Sequence, residues 1–335
     1  MTEPVPPTNA DLESQSSAAA TGVPATEQAA SHMAPPRRRE AGDQGQPEGR
    51  SLAHRVLVLA AFVGSFALLW EGAKFIGGDP WRLTAIGFQH NPPFRVLQLN
   101  DRQLPHLWDI SASFFEPFQR NAQYNLGNYL IDQALYTWSE AIVGFGLGAV
   151  IGLALASILV HSGMLERAFV PYVVASQTIP IVALAPLIVA GFGRGLTSVV
   201  IIATYLTFFP VTIAVMRGLR SPDPRAVELM RSYAASKWDV YRKVRLPASV
   251  PYLFTALKIA AAASIVGTII GEGPGGVPQG LGRAILNFNQ QYITGPEKLW
   301  ATIFVAAVVG VVSFLAVRLA EILVVNRRGL STVNG

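Results

Sequence analysis

Cysteine is absent from the 335 residues of this chain, which excludes a disulfide framework, a thiol nucleophile and a thiolate metal site. No Gly-x-x-x-x-Gly-Lys-Ser/Thr stretch is present, so the chain cannot hold ATP phosphates in the usual glycine-rich loop. Neither His-Glu-x-x-His nor Gly-x-Ser-x-Gly occurs, which leaves no recognisable apparatus for hydrolysis. We therefore predict no catalysis, no cofactor and no metal site in this polypeptide.

Charge is also scarce. Only 14% of the residues are charged and 51% are hydrophobic, which is too apolar for a soluble protein of this length. A hydrocarbon core about 30 Å thick is crossed by roughly 20 apolar helical residues, and none of the apolar runs alternates as a barrel strand would. The sequence predicts an all-α polytopic membrane protein with six transmembrane helices. They cover residues 53–76, 133–160, 168–190, 197–217, 250–271 and 299–325.

Lysine and arginine are unevenly distributed around these runs. They concentrate near the N-terminus, in the 218–249 loop and after the last run. Because basic residues accumulate on the cytoplasmic side of membrane proteins, we predict that both termini and this loop are cytoplasmic. The formal net charge of +5 reflects this excess and does not indicate nucleic-acid binding, since the charges flank membrane spans.

Two segments precede the core. Residues 1–50 are rich in Pro, Ala, Ser, Gln and Glu and are predicted to form a disordered cytoplasmic tail. Residues 51–77 are predicted to be the first transmembrane helix, and not a cleaved signal peptide, because the run is long and lacks a convincing cleavage site.

An external connection follows over 78–132, and the other five spans form a core over 133–328. Within the connection, 107–119 is predicted to be an interfacial helix that turns three phenylalanines toward lipid. They are Phe114, Phe115 and Phe118. The alternative is that this connection forms a cap that contacts a substrate-delivering protein.

The 218–249 loop is predicted to dock a soluble partner. A first short helix over 225–235 carries apolar and polar residues on different faces. They are Val227, Met230 and Ala234, with Glu228 and Arg231. A second short helix over 237–244 presents Trp238 and Tyr241 and stops before Leu246 and Pro247. The alternative is a solvated amphipathic loop at the membrane surface.

The spacing within this loop resembles the coupling motif of binding-protein-dependent ABC importer permeases. That family pattern is Glu-Ala-Ala, three residues, Gly, nine residues, Ile, one residue and Leu-Pro. In this chain Glu228 and Ala234 take the Glu and Gly positions, Val244 takes the Ile position, and Leu246 and Pro247 close the run.

The spacing is intact, but several residue types differ. Leu229 and Met230 stand where the family has two alanines, and Ala234 replaces its glycine. The resemblance covers roughly residues 104–328 and is closest to the branch that imports sulfonates, nitrate or nitrogen heterocycles.

Two prolines in the third span, Pro180 and Pro186, lie in a stretch that is similar to one found in this branch. Each is predicted to kink the helix, so that it lines a translocation path or, alternatively, only packs better. Glu272 lies in a glycine-rich outer element that also resembles the family. It lines the outer mouth or caps the neighbouring turn, and the sequence leaves both roles open.

Lys258 interrupts the fifth span. A lysine buried in a membrane costs roughly 2.5 to 3.5 kcal/mol unless it finds a partner or snorkels to the surface. Because Lys258 lies about two turns from the cytoplasmic end, we favour snorkelling over a proton or substrate role.

The resemblance implies a five-helix importer-permease core plus one N-terminal helix, with cytoplasmic coupling helices, in a bacterial inner or plasma membrane. It implies partners: ABC ATPase subunits that hold ATP and Mg, an extracytoplasmic substrate-binding protein, and a second permease copy, identical or paralogous. Membrane lipid surrounds the spans. The competing class is an ion-coupled secondary transporter, which would use intramembrane charges. The candidates for these charges are Glu71, Glu140, Lys258 and Glu321. A structural membrane scaffold is a third possibility, and the sequence does not name the solute.

Overall fold

The structure is a computed structural model that describes residues 52–83, 88–119 and 122–328. The predicted tail over 1–50 lies outside the described residues. The elements in chain order are α1 (Leu52–Gly77), β1 (Trp81–Leu83), β2 (Phe88–His90), α2 (Leu107–Ser113), α3 (Leu126–His161), α4 (Gly163–Ser176), α5 (Ile181–Phe192), α6 (Leu196–Arg220), α7 (Pro224–Ser232), α8 (Lys237–Val240), α9 (Leu246–Gly275), α10 (Leu281–Gln290) and α11 (Pro296–Arg328).

Long apolar helices dominate the described residues. Within them, five helices are long and apolar enough to cross a membrane, and the bent pair of α4 and α5 can make a sixth span. The predicted all-α polytopic architecture is therefore confirmed. The five are Val56–Gly77, Leu126–His161, Leu196–Arg220, Lys237–Gly275 and Pro296–Val324. The sequence did not predict the small antiparallel ribbon of β1 and β2, which pairs Trp81 with His90.

The chain divides into two units, residues 1–64 and 65–335. The described residues of the first unit are the beginning of α1, where large apolar side chains such as Leu57 and Phe62 are exposed. Exposed apolar side chains on a long helix suit a lipid environment. The second unit holds the rest of α1 and all later elements.

The centre of the second unit is α6, which packs between α3 and α9. Three glycines on α3, each one turn apart, face α6: Gly144, Gly148 and Gly152. A Cβ atom at Gly148 would lie 2.5 Å from the Cβ of Thr207, and one at Gly152 would lie 2.7 Å from the Phe208 carbonyl oxygen. Small residues of this kind allow helix backbones to approach closely inside a membrane.

The α9 helix approaches a neighbouring face of α6 in the same way. A Cβ atom at Gly267 would lie 2.9 Å from the Cα of Ala203, and one at Gly271 would lie 3.1 Å from the Cα of Val199. Glycines of both α3 and α9 meet Ala203 of α6, and α3 and α9 also contact each other, so the three spans form one packed core.

The α3 helix begins at Leu126, earlier than the predicted start at residue 133. Residues Leu126 and Leu130 are fully buried in an apolar cluster with Ile110, Leu281 and Phe288. This packing extends the helix over residues 126–132, whose polar side chains kept them out of the predicted span.

The third predicted span is two helices, α4 and α5, which are bent by 101° at a short break. Pro180 caps the start of α5, where its missing N–H and its restriction of the preceding residue interrupt the helix. Pro186 lies inside α5, which continues through it. The predicted two kinks are therefore one break and one tolerated proline.

The predicted interfacial helix over 107–119 is shorter, because α2 ends at Ser113. Phe115 is 80% exposed, but Phe114 and Phe118 pack against the apolar cluster that contains Leu126. The prediction that all three phenylalanines face lipid is wrong for these two. Backbone hydrogen bonds from the beginning of α3 fold this segment back onto the core.

Ion pairs fix the C-terminal end of α1 to the connection that follows. The Lys74 Nζ, which is fully buried, lies 2.7 Å from Asp101 Oδ1, and the His106 Nδ1 lies 2.7 Å from Glu71 Oε2. Burial raises the pKa of the neighbouring Asp109 carboxyl above its ordinary value, an effect that the electrostatic interaction with His106 opposes.

Candidate functional site

The turn from α6 into α7 is closed by local hydrogen bonds. The Ser221 hydroxyl donates to the Gly218 carbonyl oxygen at 2.8 Å. Asp223 caps α7, since its Oδ1 accepts a hydrogen bond from the Arg225 backbone N–H at 2.8 Å, and Pro224 occupies the first helical position. A proline there loses no hydrogen bond, because the first backbone N–H groups of a helix have no intrahelical partner. The entry into the 218–249 segment, here called the coupling segment, is therefore fixed.

A left-handed residue ends α7. Ala234 has a φ of 55° and is the one non-glycine residue with positive φ in the described ranges. The Ala235 N–H donates to the Met230 carbonyl oxygen at 3.1 Å, and the Ala234 N–H donates to the Arg231 carbonyl oxygen at 2.9 Å. This is the Schellman arrangement, in which glycine usually takes the left-handed position. The family pattern therefore has glycine at this position because the backbone is left-handed there. Ala234 adopts the same conformation at a steric cost, because it has a Cβ atom.

The second short helix runs directly into the next span. Ser236 caps α8 by accepting from the Asp239 N–H at 3.1 Å, and its hydroxyl donates to Asp239 Oδ2 at 2.5 Å. A π-helical turn over Tyr241–Arg245 then joins α8 to α9. The prediction that this helix stops before Leu246 and Pro247 is wrong. The wider turn lets the chain continue through Pro247, which lies in the first turn of α9 where no N–H is needed.

Tyr241 anchors the coupling segment to the membrane helices. It is buried in an apolar cluster with Leu219 of α6, and its hydroxyl lies 2.8 Å from the Ser157 Oγ of α3. Its ring stacks on Trp238 with centroids 5.4 Å apart. Sequence reasoning placed Tyr241 on the exposed surface, whereas only Trp238 is exposed there.

The other predicted residues divide between two sides of the segment. Val227 and Met230 are half-buried, as are Leu246 and Pro247 at the beginning of α9. By contrast, the exposed members are Glu228, Arg231, Ala234 and Trp238.

Two exposed residues were missed. Leu229 is 58% exposed and Tyr233 is 79% exposed, and their four-residue spacing puts them on one side of α7. That spacing could have identified them in the sequence.

A basic crevice of about 270 Å³ lies at the base of α7. Val227 and Glu228 line it together with the arginines Arg220, Arg231 and Arg245. Arg220 is ion-paired with Glu166 at the beginning of α4, which links the crevice to another helix. A crevice with more cationic than anionic side chains is suited to receive an acidic group from a partner.

The residues predicted to line a path do not form one cluster. Pro180 and Pro186 are exposed on α5. Glu272 is fully buried, and its Oε1 accepts a hydrogen bond from Thr137 Oγ1 at 2.6 Å while its Oε2 accepts from the Gly282 N–H at 2.5 Å. This geometry corresponds to the capping role that the sequence left open, because Glu272 holds the beginning of α10 against α3.

Three of the intramembrane charges considered for an ion-coupled carrier have partners. Lys258 has a partner, because its Nζ lies 2.8 Å from Glu321 Oε2 on α11. Glu71 is paired with His106. Glu140 is buried in α3. A paired charge has a structural explanation, which weakens the case for ion coupling at these three residues.

These features define a class: a polytopic helical membrane protein that exposes a rigid, capped two-helix segment between two of its spans. The family of binding-protein-dependent transport system inner membrane components matches residues 148–328, which is more than half of the chain and includes the whole coupling segment. The chain belongs to this family and is a permease subunit of an ABC importer.

Individual relatives are similar over different lengths. The formylaminopyrimidine transport permease protein ThiX of Halalkalibacterium halodurans is 31% identical over 224 residues, which cover 64% of this chain and 88% of that protein. The riboflavin transport system permease protein RibX of Chloroflexus aurantiacus is 35% identical over 143 residues, or 43% of this chain and 53% of that protein. A solved amino acid ABC transporter chain gives a TM-score of 0.48 at 17% identity, covering 60% of this chain and 94% of that one.

Proposed function

We propose that this permease forms a dimeric translocation pore with a second permease copy, identical or paralogous, and that each coupling segment docks on one ABC ATPase subunit. ATP and Mg are held by those ATPase subunits, and an extracytoplasmic binding protein delivers a small solute. The observation that carries the proposal is a coupling segment with exposed aromatic and apolar side chains that is rigidly fixed to the membrane helices.

The docking surface consists of Leu229, Tyr233 and Trp238, which are all exposed. Large aromatic side chains at the centre of a contact commonly supply most of the binding free energy. The neighbouring crevice with Glu228 and Arg231 supplies charges of both signs, which set the orientation of the partner. The proposed partner therefore has an apolar groove beside an acidic group.

Movement of the docked segment is transmitted to three spans. The segment follows α6 without a flexible link, contacts α3 through Tyr241 and Ser157, and continues into α9 through the π-helical turn. Shifting a two-state pore from 1:99 to 99:1 needs about 5.5 kcal/mol of differential binding. In this proposal the ATPase pair supplies that free energy when it closes on ATP.

The proposed location is the bacterial inner or plasma membrane, with both termini and the coupling segment in the cytoplasm. The basic residues of the segment support this orientation, because such residues accumulate on the cytoplasmic side. Two relatives are named for formylaminopyrimidine and riboflavin transport, and for this chain we propose a small solute.

The test is uptake into proteoliposomes that contain the permease, its cognate ATPase and its binding protein. Leu229→Asp and Glu228→Ala are expected to leave the permease folded in the membrane and to lower ATP-driven uptake about tenfold or more, because the docking contacts are lost. Met164→Asp is the matched control, since Met164 is 80% exposed but lies at the beginning of α4, outside the coupling segment. It should transport like the unmodified protein.

Two results would contradict the proposal. One is normal ATP-driven uptake by both coupling-segment variants. The other is uptake by the unmodified protein that follows an ion gradient and needs no ATPase, which would favour an ion-coupled carrier.

A further inference from the structure

The break between α4 and α5 lies beside the middle part of α6. The Tyr205 hydroxyl of α6 donates a hydrogen bond to the carbonyl oxygen of Ser176, the last residue of α4. Tyr205 is nine residues from the beginning of α6 and fifteen from its end. At 1.5 Å per residue, the break is roughly 14 Å from one end of this span and 23 Å from the other.

The backbone at this depth is not fully hydrogen-bonded. In the part of the chain that the structure describes, no donor is hydrogen-bonded to the carbonyl oxygens of Gln177, Thr178 and Ile179. Pro180 has no N–H to donate, and residues 177–180 are all exposed. Unpaired carbonyl groups are not tolerated in contact with lipid, and non-helical backbone at membrane depth is found against protein or beside water.

The side chains at the break are uncharged, and two of the four are polar. Gln177 and Thr178 are exposed, and residues 168–193 include no lysine, arginine, aspartate or glutamate. Free carbonyl oxygens accept hydrogen bonds, and the glutamine amide both donates and accepts them. A solute at this place would therefore be held by hydrogen bonds and not by ion pairs.

We infer that residues 177–180 line the water-filled translocation path, and that Gln177 is a specificity-determining residue that hydrogen-bonds an uncharged polar part of the solute. The chemical class is a small solute with N–H or O–H groups for the free carbonyl oxygens and an acceptor for the Gln177 amide. The inference rests on the proposed function, because it assigns a contact within the pore of a permease.

The absence of cysteine makes the path directly testable, because a single introduced thiol is the only one in the protein. The experiment labels Gln177→Cys in the reconstituted transporter with trimethylammonioethyl methanethiosulfonate, a charged reagent that reacts from water. Val150→Cys is the control. Val150 is 66% exposed on α3. It is two residues from Gly148, which lies against Thr207 of α6, so Val150 and Tyr205 are at similar depths.

The expected result is labelling of Gln177→Cys at least about tenfold faster than Val150→Cys, with or without MgATP, because only the break is in water. A Gln177→Cys that reacts no faster than Val150→Cys would overturn the inference, because the break would then lie against lipid or packed protein.

The second readout is uptake. Gln177→Leu is expected to lower uptake of the solute about tenfold while binding-protein-stimulated ATP hydrolysis persists, because one hydrogen bond to the solute is lost. Gln177→Asn, which keeps the amide, should retain more uptake than the leucine variant. Unchanged uptake by Gln177→Leu would overturn the specificity role. The unmodified protein separates the two proposals, since absence of ATP-driven uptake there would refute the proposed function itself.

Discussion

At the scale of single residues, Ala234 and Glu272 each have a conformational or bonding role that fixes one end of a helix. Ala234 takes a left-handed conformation at the end of α7, and Glu272 accepts two hydrogen bonds that hold α10 against α3. Neither role requires contact with a solute. Both predict effects on stability that are separable from effects on transport.

Replacing Ala234 with glycine should stabilise the turn after α7. A left-handed conformation costs an L-residue with a Cβ atom about 1 kcal/mol, and glycine adopts it without this cost. We expect Ala234→Gly to raise the unfolding temperature in detergent by a few degrees, measured by thermal unfolding. Ala235→Gly, one residue later where φ is not positive, should give no gain. Equal gains from both variants would refute this explanation.

Truncating Glu272 should destabilise the fold. Glu272→Ala leaves the Thr137 hydroxyl and the Gly282 N–H buried without their acceptor, which is expected to cost roughly 2 to 4 kcal/mol. Glu272→Gln keeps one acceptor oxygen, so its unfolding free energy should lie between those of the unmodified protein and Glu272→Ala. Denaturant titration of the purified protein measures the difference. The exposed Glu116→Ala serves as the control and should change the unfolding free energy little. A Glu272→Ala variant as stable as this control would show that the buried hydrogen bonds contribute nothing.

At the scale of elements, the packing of α6 between α3 and α9 depends on glycines. These residues remove side chains where two helix backbones approach, so added volume has no room. The same helix offers a comparison, because α3 also carries one glycine, Gly146, that faces away from its neighbours.

Gly148→Leu should weaken the packing of α3 on α6. The new side chain would collide with Thr207, and overpacking of this kind typically costs about 1 to 3 kcal/mol. Gly146→Leu is the matched control, because a Cβ atom at Gly146 would have no neighbour within 4 Å. Thermal unfolding of both variants in the same detergent should show a loss for position 148 alone. Equal stability of the two variants would mean that α3 and α6 do not pack closely.

Sequence reasoning succeeded where local chemistry decides the structure. The spans followed from apolar length, and α7 followed from the apolar and polar faces of residues 225–235. It failed where tertiary packing decides. Val227 was predicted to be a docking residue, but it is half-buried, whereas Leu229 on α7 is exposed. Tyr241 was also predicted to be presented to the partner, but it is buried and contacts α3.

The break after α4 and the role of Glu272 were only partly accessible. A proline can cause either a kink or a break in a helix, so the sequence does not choose between them. The position of the break along α6 depends on the contact between Tyr205 and Ser176, which are far apart in the chain. The hydrogen bonds of Glu272 likewise link α9 with α3, so the sequence could state two roles and not choose between them.

At the scale of the whole molecule, one polypeptide that lacks a P-loop is proposed to be moved by another that hydrolyses ATP. The coupling segment is the only part of the account that must touch that second protein. Its fixed attachment to α3, α6 and α9 gives a route by which docking changes the spans.

The most direct measurement is therefore where the ATPase contacts the chain. A photo-crosslinking amino acid introduced at Tyr233, which is 79% exposed beside α7, should capture the ATPase subunit in membranes. The same amino acid at Tyr124 should not capture it. Tyr124 is 59% exposed and precedes the beginning of α3, whereas the coupling segment contacts α3 near its other end. We expect ATPase to be captured at Tyr233 alone, and its capture at Tyr124, or at neither position, would refute docking through the coupling segment.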